Sequence, residues 1–227
     1  MSVLRQAARV AAKDLRIELR SREILYTMAF FGALIVVIYS FSFPIKPDIV
    51  RAAAPGMLWV AVAFAGTVGL GRAFDREREN DTMRALLLAP IPRLSVFLGK
   101  TIATTVLVLG VAAVCTPLLA LFLEAPLLGE PLPLIVVLVL GALGFSLVGS
   151  LFAAMLLKVR SRDVLLPVVL YPILIPMFVG GVYATEALLA ANGPNLDKAW
   201  YWISFVGMYD AAALVMSLWI YEALVIE

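Results

Sequence analysis

Residues 134–157 read LIVVLVLGALGFSLVGSLFAAMLL, a run without a single charge that Lys158 closes. A membrane-spanning helix needs about 20 predominantly apolar residues, so this run is long enough to cross a bilayer. It does not alternate with a period of two, which disfavours a strand of an outer-membrane barrel. Five further apolar runs lie on either side: Ile24–Phe43, Ala52–Leu70, Thr101–Leu123, Val164–Val182, and one from about Trp200 to Ile226. The last contains Asp210 and Glu222 and has the least defined ends. Of the 227 residues, 63% are hydrophobic and 15% charged, against roughly 25% charged in soluble domains. This balance excludes a soluble domain, a disordered chain and a nucleic-acid binder as primary readings. There is no histidine, and Cys115 is the sole cysteine, so imidazole ligation, an internal disulfide and a thiolate metal site are excluded. The expected fold is an all-α membrane protein, one six-span transmembrane domain over residues 1–227.

The placement of cations sets the expected topology. Six lie before the first span (Arg5, Arg9, Lys13, Arg16, Arg20, Arg22), six between the second and third, and three (Lys158, Arg160, Arg162) between the fourth and fifth. The intervening connections carry Lys46 and Arg51, then none, then Lys198. Cations stay preferentially on the cytoplasmic side. Both termini are therefore expected in the cytoplasm, with residues 183–201 as a periplasmic loop. The first run reads as a retained span rather than a cleaved signal peptide.

Within residues 1–23, Arg5, Arg9, Lys13, Arg16 and Arg20 recur at helical spacing and stack on one face. Val3, Leu4, Ala7, Ala8, Val10, Ala11 and Leu15 fill much of the rest, interrupted by Asp14 and Glu18. A basic stripe beside an apolar one suits an interfacial elbow helix with guanidinium groups at lipid phosphates.

The cytoplasmic loop, residues 72–100, is the longest polar segment. From Arg72 to Arg84 it carries four cations (Arg72, Arg76, Arg78, Arg84) and four acids (Asp75, Glu77, Glu79, Asp81). A lipid- or nucleic-acid-binding loop would be one-sided; balanced charge at this density suits ion pairing within the loop or with a protein partner. Asn80-Asp81-Thr82 reads as a helix start, Met83–Ala89 as a short helix presenting Leu86, Leu87 and Leu88, and Pro90 and Pro92 as its end. Such a capped helix beneath the membrane fits a groove on a cytoplasmic protein. Gly99-Lys100-Thr101 invites a phosphate-loop reading, but that motif needs glycine five residues earlier, where Leu94 stands. ATP chemistry is therefore expected on another chain.

Six spans, the basic elbow, and Phe74-Asp75-Arg76-Glu77 through Asp81-Thr82 and Pro90 to Gly99-Lys100 resemble permeases of ABC-2-type exporters. Asp75-Arg76-Glu77, Arg84-Ala85-Leu86-Leu87-Leu88-Ala89-Pro90, Arg160-Ser161-Arg162-Asp163-Val164-Leu165-Leu166-Pro167 and Tyr171-Pro172-Ile173-Leu174-Ile175-Pro176 resemble the CcmB family more closely. This is the haem exporter protein B family of cytochrome c maturation, and the resemblance covers essentially the whole chain. It implies a bacterial inner-membrane permease, working as a homodimer with a CcmA-like ATPase that binds ATP. It also implies a CcmC-like haem-handling membrane protein, a small CcmD-like subunit and a periplasmic CcmE-like haem chaperone, with haem as substrate of the complex and no cofactor held by this chain.

The expected ATPase-coupling surface comprises Asp75, Arg76, Glu77, Arg78, Glu79, Asp81, Thr82, Arg84, Leu86, Leu87 and Leu88. Arg160, Arg162 and Asp163 are either a second cytoplasmic contact or a simple anchor. Pro167, Pro172 and Pro176 in the fifth span each remove a backbone donor, giving a hinge or a static kink. Ala61, Ala65 and Gly69, and Ala142, Ser146 and Ser150, form small-residue stripes that suit close helix packing. Trp200-Tyr201-Trp202 reads as an interface belt or as a shelf for a flat ligand. Asp210 either faces protein near mid-membrane, where an ionised carboxylate costs about 2.5–3.5 kcal/mol on insertion scales, or sits at the outer interface in water. An unrelated ABC-2 exporter of lipid or drug, a scaffold without a substrate path, and an intramembrane enzyme built on Cys115 and Asp210 are the competing readings.

Overall fold

The computed structural model describes residues 3–42, 46–79, 92–156, 159 and 162–226; the side chains of residues 74–79, 162–163 and 222–226 lie outside this description. The described residues form helices and no strand: α1 (Val3–Ser21), α2 (Glu23–Ser42), α3 (Pro47–Glu79), α4 (Arg93–Phe122), α5 (Pro131–Met155), α6 (Arg162–Leu188) and α7 (Leu196–Ile226). Six of them, α2 to α7, are long and apolar enough to cross a membrane.

Several helices outrun their apolar runs. Residues 72–79 and 93–100, read as parts of a loop, are helical, because α3 continues to Glu79 and α4 starts at Arg93. No glycine or proline interrupts residues 72–79, and α4 begins directly after Pro92. The short helix expected over Met83–Ala89 lies outside the described residues. At the opposite end α6 runs on to Leu188 and α7 begins at Leu196, so residues 183–201, read as a loop, hold the ends of two spans. The connection between them turns at Gly193, whose φ of 100° suits glycine, and the Asn195 side chain accepts the Lys198 N–H at 2.9 Å to cap α7.

α5 and α3 form the centre. Within their spans, 72% and 67% of residues are buried inside the protein, against 22% for α2 and for α7. The sequence of α5 explains its place. It carries no charge, and Gly141, Gly144 and Gly149 leave notches that receive Trp59, Asp210 and Leu70 from its neighbours. Without a water-driven force between spanning helices, such close fit is what holds a bundle together. Both small-residue stripes are buried, and Gly69 receives the Met28 thioether of α2.

α1 packs along the first turns of α4. Its chain then turns sharply at Arg22, which adopts a φ of 56°, a conformation that L residues seldom take. The buried Glu18 side chain accepts the Leu25 N–H at 2.9 Å, satisfying one of the open donors at the start of α2.

Candidate functional site

Polar chemistry concentrates in three places. The first is the contact of α1 with α4. A Cβ on Gly99 would collide with the Val10 side chain and the Ala7 carbonyl, so glycine lets the two backbones approach. Next to it, the buried Lys100 reaches Asp14 Oδ2 through Nζ at 3.2 Å, and Lys13 meets Asp14 Oδ1 at 3.0 Å. Burial disfavours the Lys100 charge, and the Asp14 carboxylate offsets part of that cost. Ser95 Oγ donates to the Val3 carbonyl at 3.1 Å. The Gly99-Lys100 pair that mimics a phosphate loop thus holds a helix. The two acids that interrupt the apolar side of α1 are its anchors: Asp14 to α4, Glu18 to α2. Arg5, Arg9, Lys13, Arg16 and Arg20 are exposed, beside exposed Leu4 and Leu19. Nearby, Arg72 Nη1 of α3 pairs with Glu23 Oε1 of α2 at 3.3 Å.

The second place is the interior of the bundle. Trp59 of α3 lies between Gly141 of α5 and Gly181 of α6, where an added Cβ on either glycine would strike its ring. Its Nε1–H donates to Thr185 Oγ1 at 3.1 Å, and that hydroxyl donates to the Gly181 carbonyl at 2.8 Å. Thr67 and Tyr171 join α3 and α6 through their hydroxyls at 3.1 Å. Pro172 and Pro176 lack the N–H groups that would bond the Val168 and Pro172 carbonyls, and beside them Tyr209 Oη of α7 donates to the Ile173 carbonyl at 2.8 Å. Asp210, one residue on, is 4% exposed, so of its two expected placements the structure shows the protein-facing one. Its carboxyl fills the notch at Gly144, with Met177 of α6 beside the same notch.

The third place is the opposite end from α1. A cleft of about 590 Å³ is lined by Asp48 and Arg51 of α3, Glu186 of α6, and Asn195 and Lys198 around the start of α7. Lys198 pairs with Glu186 at 3.6 Å. Tyr183 stacks on Trp202 with ring centres 4.8 Å apart, and Tyr201 and Phe205 meet Trp202 edge-on. Among the described residues, no group of three or more cysteine, aspartate or glutamate side chains is arranged to hold a metal ion.

The model of the CcmB protein family matches residues 5–226. The chain belongs to the CcmB family. Similar curated proteins agree. Heme exporter protein B of Pseudomonas aeruginosa is 28% identical over 179 residues, 78% of this chain and 79% of that protein. Heme exporter protein B of Rhodobacter capsulatus is 30% identical over 173 residues, 75% of this chain and 78% of that protein.

On this CcmB-family fold, the residues expected to couple to an ATPase fall in two groups. Asp75, Arg76, Glu77, Arg78 and Glu79 lie on the last turns of α3, with side chains outside the description. Asp81, Thr82, Arg84, Leu86, Leu87 and Leu88 lie outside the described residues, as does Arg160. Arg162 and Asp163 open α6, again without described side chains. Pro167, Pro172 and Pro176 all lie inside α6, which continues through them as one helix. Sequence reasoning missed the Trp59–Thr185 bond and the Asp14–Lys100 pair. Gly141 and Gly181 were the available signal for the first. The second was hidden because Asp14 and Lys100 are 86 residues apart.

Proposed function

We propose that this chain is the membrane-spanning permease subunit of an ABC-type complex for cytochrome c maturation in the bacterial inner membrane, with haem as the cargo the complex handles. The observation that carries this reading is the family match over residues 5–226, which takes in the whole six-helix bundle. The names of the relatives, heme exporter protein B, give the cargo. ATP hydrolysis belongs to a partner ATPase of CcmA type. The nearest approach to a nucleotide motif in this chain, Gly99-Lys100-Thr101, is used to hold α1.

The ATPase docks from the cytoplasm on the end of α3 and residues 80–91, and two permease chains pair with two ATPase chains. α4 begins where that docking segment ends, so a push there moves α4 and, through Lys100 and Asp14, α1. A CcmC-like protein, a small CcmD-like subunit and a CcmE-like periplasmic chaperone complete the assembly. One observation favours release of a haem-loaded chaperone over passage of haem through this chain. The 227 residues contain no histidine, and Cys115 is fully buried, so the chain offers haem neither of the usual nitrogen or thiolate axial ligands.

Deletion and complementation test the reading. Removing the chain from its host is expected to abolish holocytochrome c while leaving apocytochrome synthesis intact, and re-expression is expected to restore it. Normal holocytochrome c in the deletion strain would contradict it.

A further inference from the structure

Asp210 is a buried acid with no evident use. Both of its carboxyl oxygens are buried without a hydrogen-bond partner among the described residues, and the side chain points into the Gly144 notch between α5, α6 and α7. Among the described side chains, no cation on the elements packed against α7 pairs with it. α5 carries no charge from Pro131 to Met155. α6 carries none between Asp163 and Glu186, and α4 none between Lys100 and Phe122. On α7 itself the nearest cation is Lys198, twelve residues and so about 18 Å away along the helix. The other titratable groups along the spans of these helices are Tyr171 and Tyr183 of α6, Cys115 of α4, and Tyr201, Tyr209 and Tyr221 of α7, of which Tyr183 and Tyr201 are exposed. None of them brings a positive charge, and Tyr209 already bonds the Ile173 carbonyl.

Asp210 belongs to no group of three or more acidic or cysteine side chains that could hold a metal ion among the described residues, and a single carboxyl falls short of the several oxygen ligands a hard cation takes. The one ligand it fits is a proton. We propose that Asp210 is a proton-binding site inside the bundle, occupied while α7 is packed on Gly144 of α5. Glycine at 144 is what admits the acid. Moving α7 away from α5 exposes the carboxyl to water and releases the proton, so the position of α7 is linked to proton binding. The inference does not depend on what the complex carries.

Infrared spectroscopy of the purified complex in lipid nanodiscs reads the site directly. At neutral pH the wild-type complex is expected to show the carbonyl stretch of a protonated carboxylic acid, and Asp210→Asn is expected to lose it. Where the Asn variant fails to assemble, Asp210→Glu is expected to keep a protonated-acid band at a shifted frequency, because only a band from position 210 responds to that change; a band that does not move would overturn the proposal. A neutral-pH spectrum without a protonated-aspartate band, or with one that survives in Asp210→Asn, would overturn the proposal.

Discussion

Trp59 is a large side chain whose position depends on two missing ones. Its indole occupies the space that a Cβ at Gly141 or Gly181 would need, and its N–H is satisfied by Thr185. Gly181→Ala is therefore expected to destabilise the bundle by about 1–3 kcal/mol, the usual cost of overpacking an interior. A lowered unfolding temperature of the detergent-solubilised protein checks this, and Gly56→Ala, where a Cβ meets nothing within 4 Å, serves as the control. Asp210 is expected to separate stability from function. Asp210→Leu keeps the side-chain shape and removes two unsatisfied oxygens whose burial costs about 1–3 kcal/mol, so the variant should be at least as stable as wild type. It should nevertheless mature less cytochrome c, because an expensive intramembrane acid is retained for function rather than packing. Full cytochrome c yield in Asp210→Leu, measured by haem staining, would remove the residue from the mechanism. The inward orientation of Asp210 was half legible: insertion cost favoured it, but the outer interface stood as an equal alternative. That Gly144 receives it was not legible, because a glycine on a chargeless helix does not announce which neighbour will face it.

α1 is an element whose periodicity was legible and whose attachment was not. The spacing of Arg5, Arg9, Lys13, Arg16 and Arg20 predicts a basic face, and those residues are exposed together. Asp14 and Glu18 looked like flaws in the opposite face, because local pattern cannot show a partner that lies 86 residues away. Lys100→Met is expected to remove the buried half of the Asp14 pair at a cost of about 1.5–3 kcal/mol, in the range for hydrogen bonds to charged groups. Hydrogen exchange of the α1 amides should quicken in that variant while exchange in α5 stays unchanged. Unchanged α1 protection would show that apolar packing at Ala7, Val10 and Ala11 suffices. The end of α3 makes a different prediction. Reversing a charge at a desolvated interface costs about 2–5 kcal/mol, so Glu77→Lys and Glu79→Lys should release the ATPase and lower cytochrome c yield. Retained co-purification with normal yield in both variants would place the docking surface elsewhere.

At the scale of the whole molecule, the six spans were legible because the bilayer sets a length that soluble cores do not. Their arrangement was less so. Residues 134–157 stood out as an unbroken apolar run, yet their place at the centre of the bundle follows from notches at Gly141, Gly144 and Gly149 that only tertiary packing fills. Arg5, Arg9, Lys13, Arg16 and Arg20 lie on α1 and Arg72 pairs with Glu23 at the start of α2, while Arg51 and Lys198 line the cleft at the other end. This separation supports the proposed orientation, with Asn192 on the periplasmic side. A cysteine placed at Asn192 in a Cys115→Ser background is expected to react with an impermeant maleimide on cells whose inner membrane is intact. Reaction only after lysis would invert the topology.

The central claim is that this chain is the membrane half of an ATP-driven complex. It is tested most directly by isolating the tagged chain from native membranes in mild detergent and measuring ATP hydrolysis in the eluate. The account predicts a co-purifying ATPase subunit and hydrolysis that disappears when its phosphate-loop lysine is replaced. A stable, fully assembled preparation with no ATPase subunit and no hydrolysis, from cells that mature c-type cytochromes normally, would contradict it.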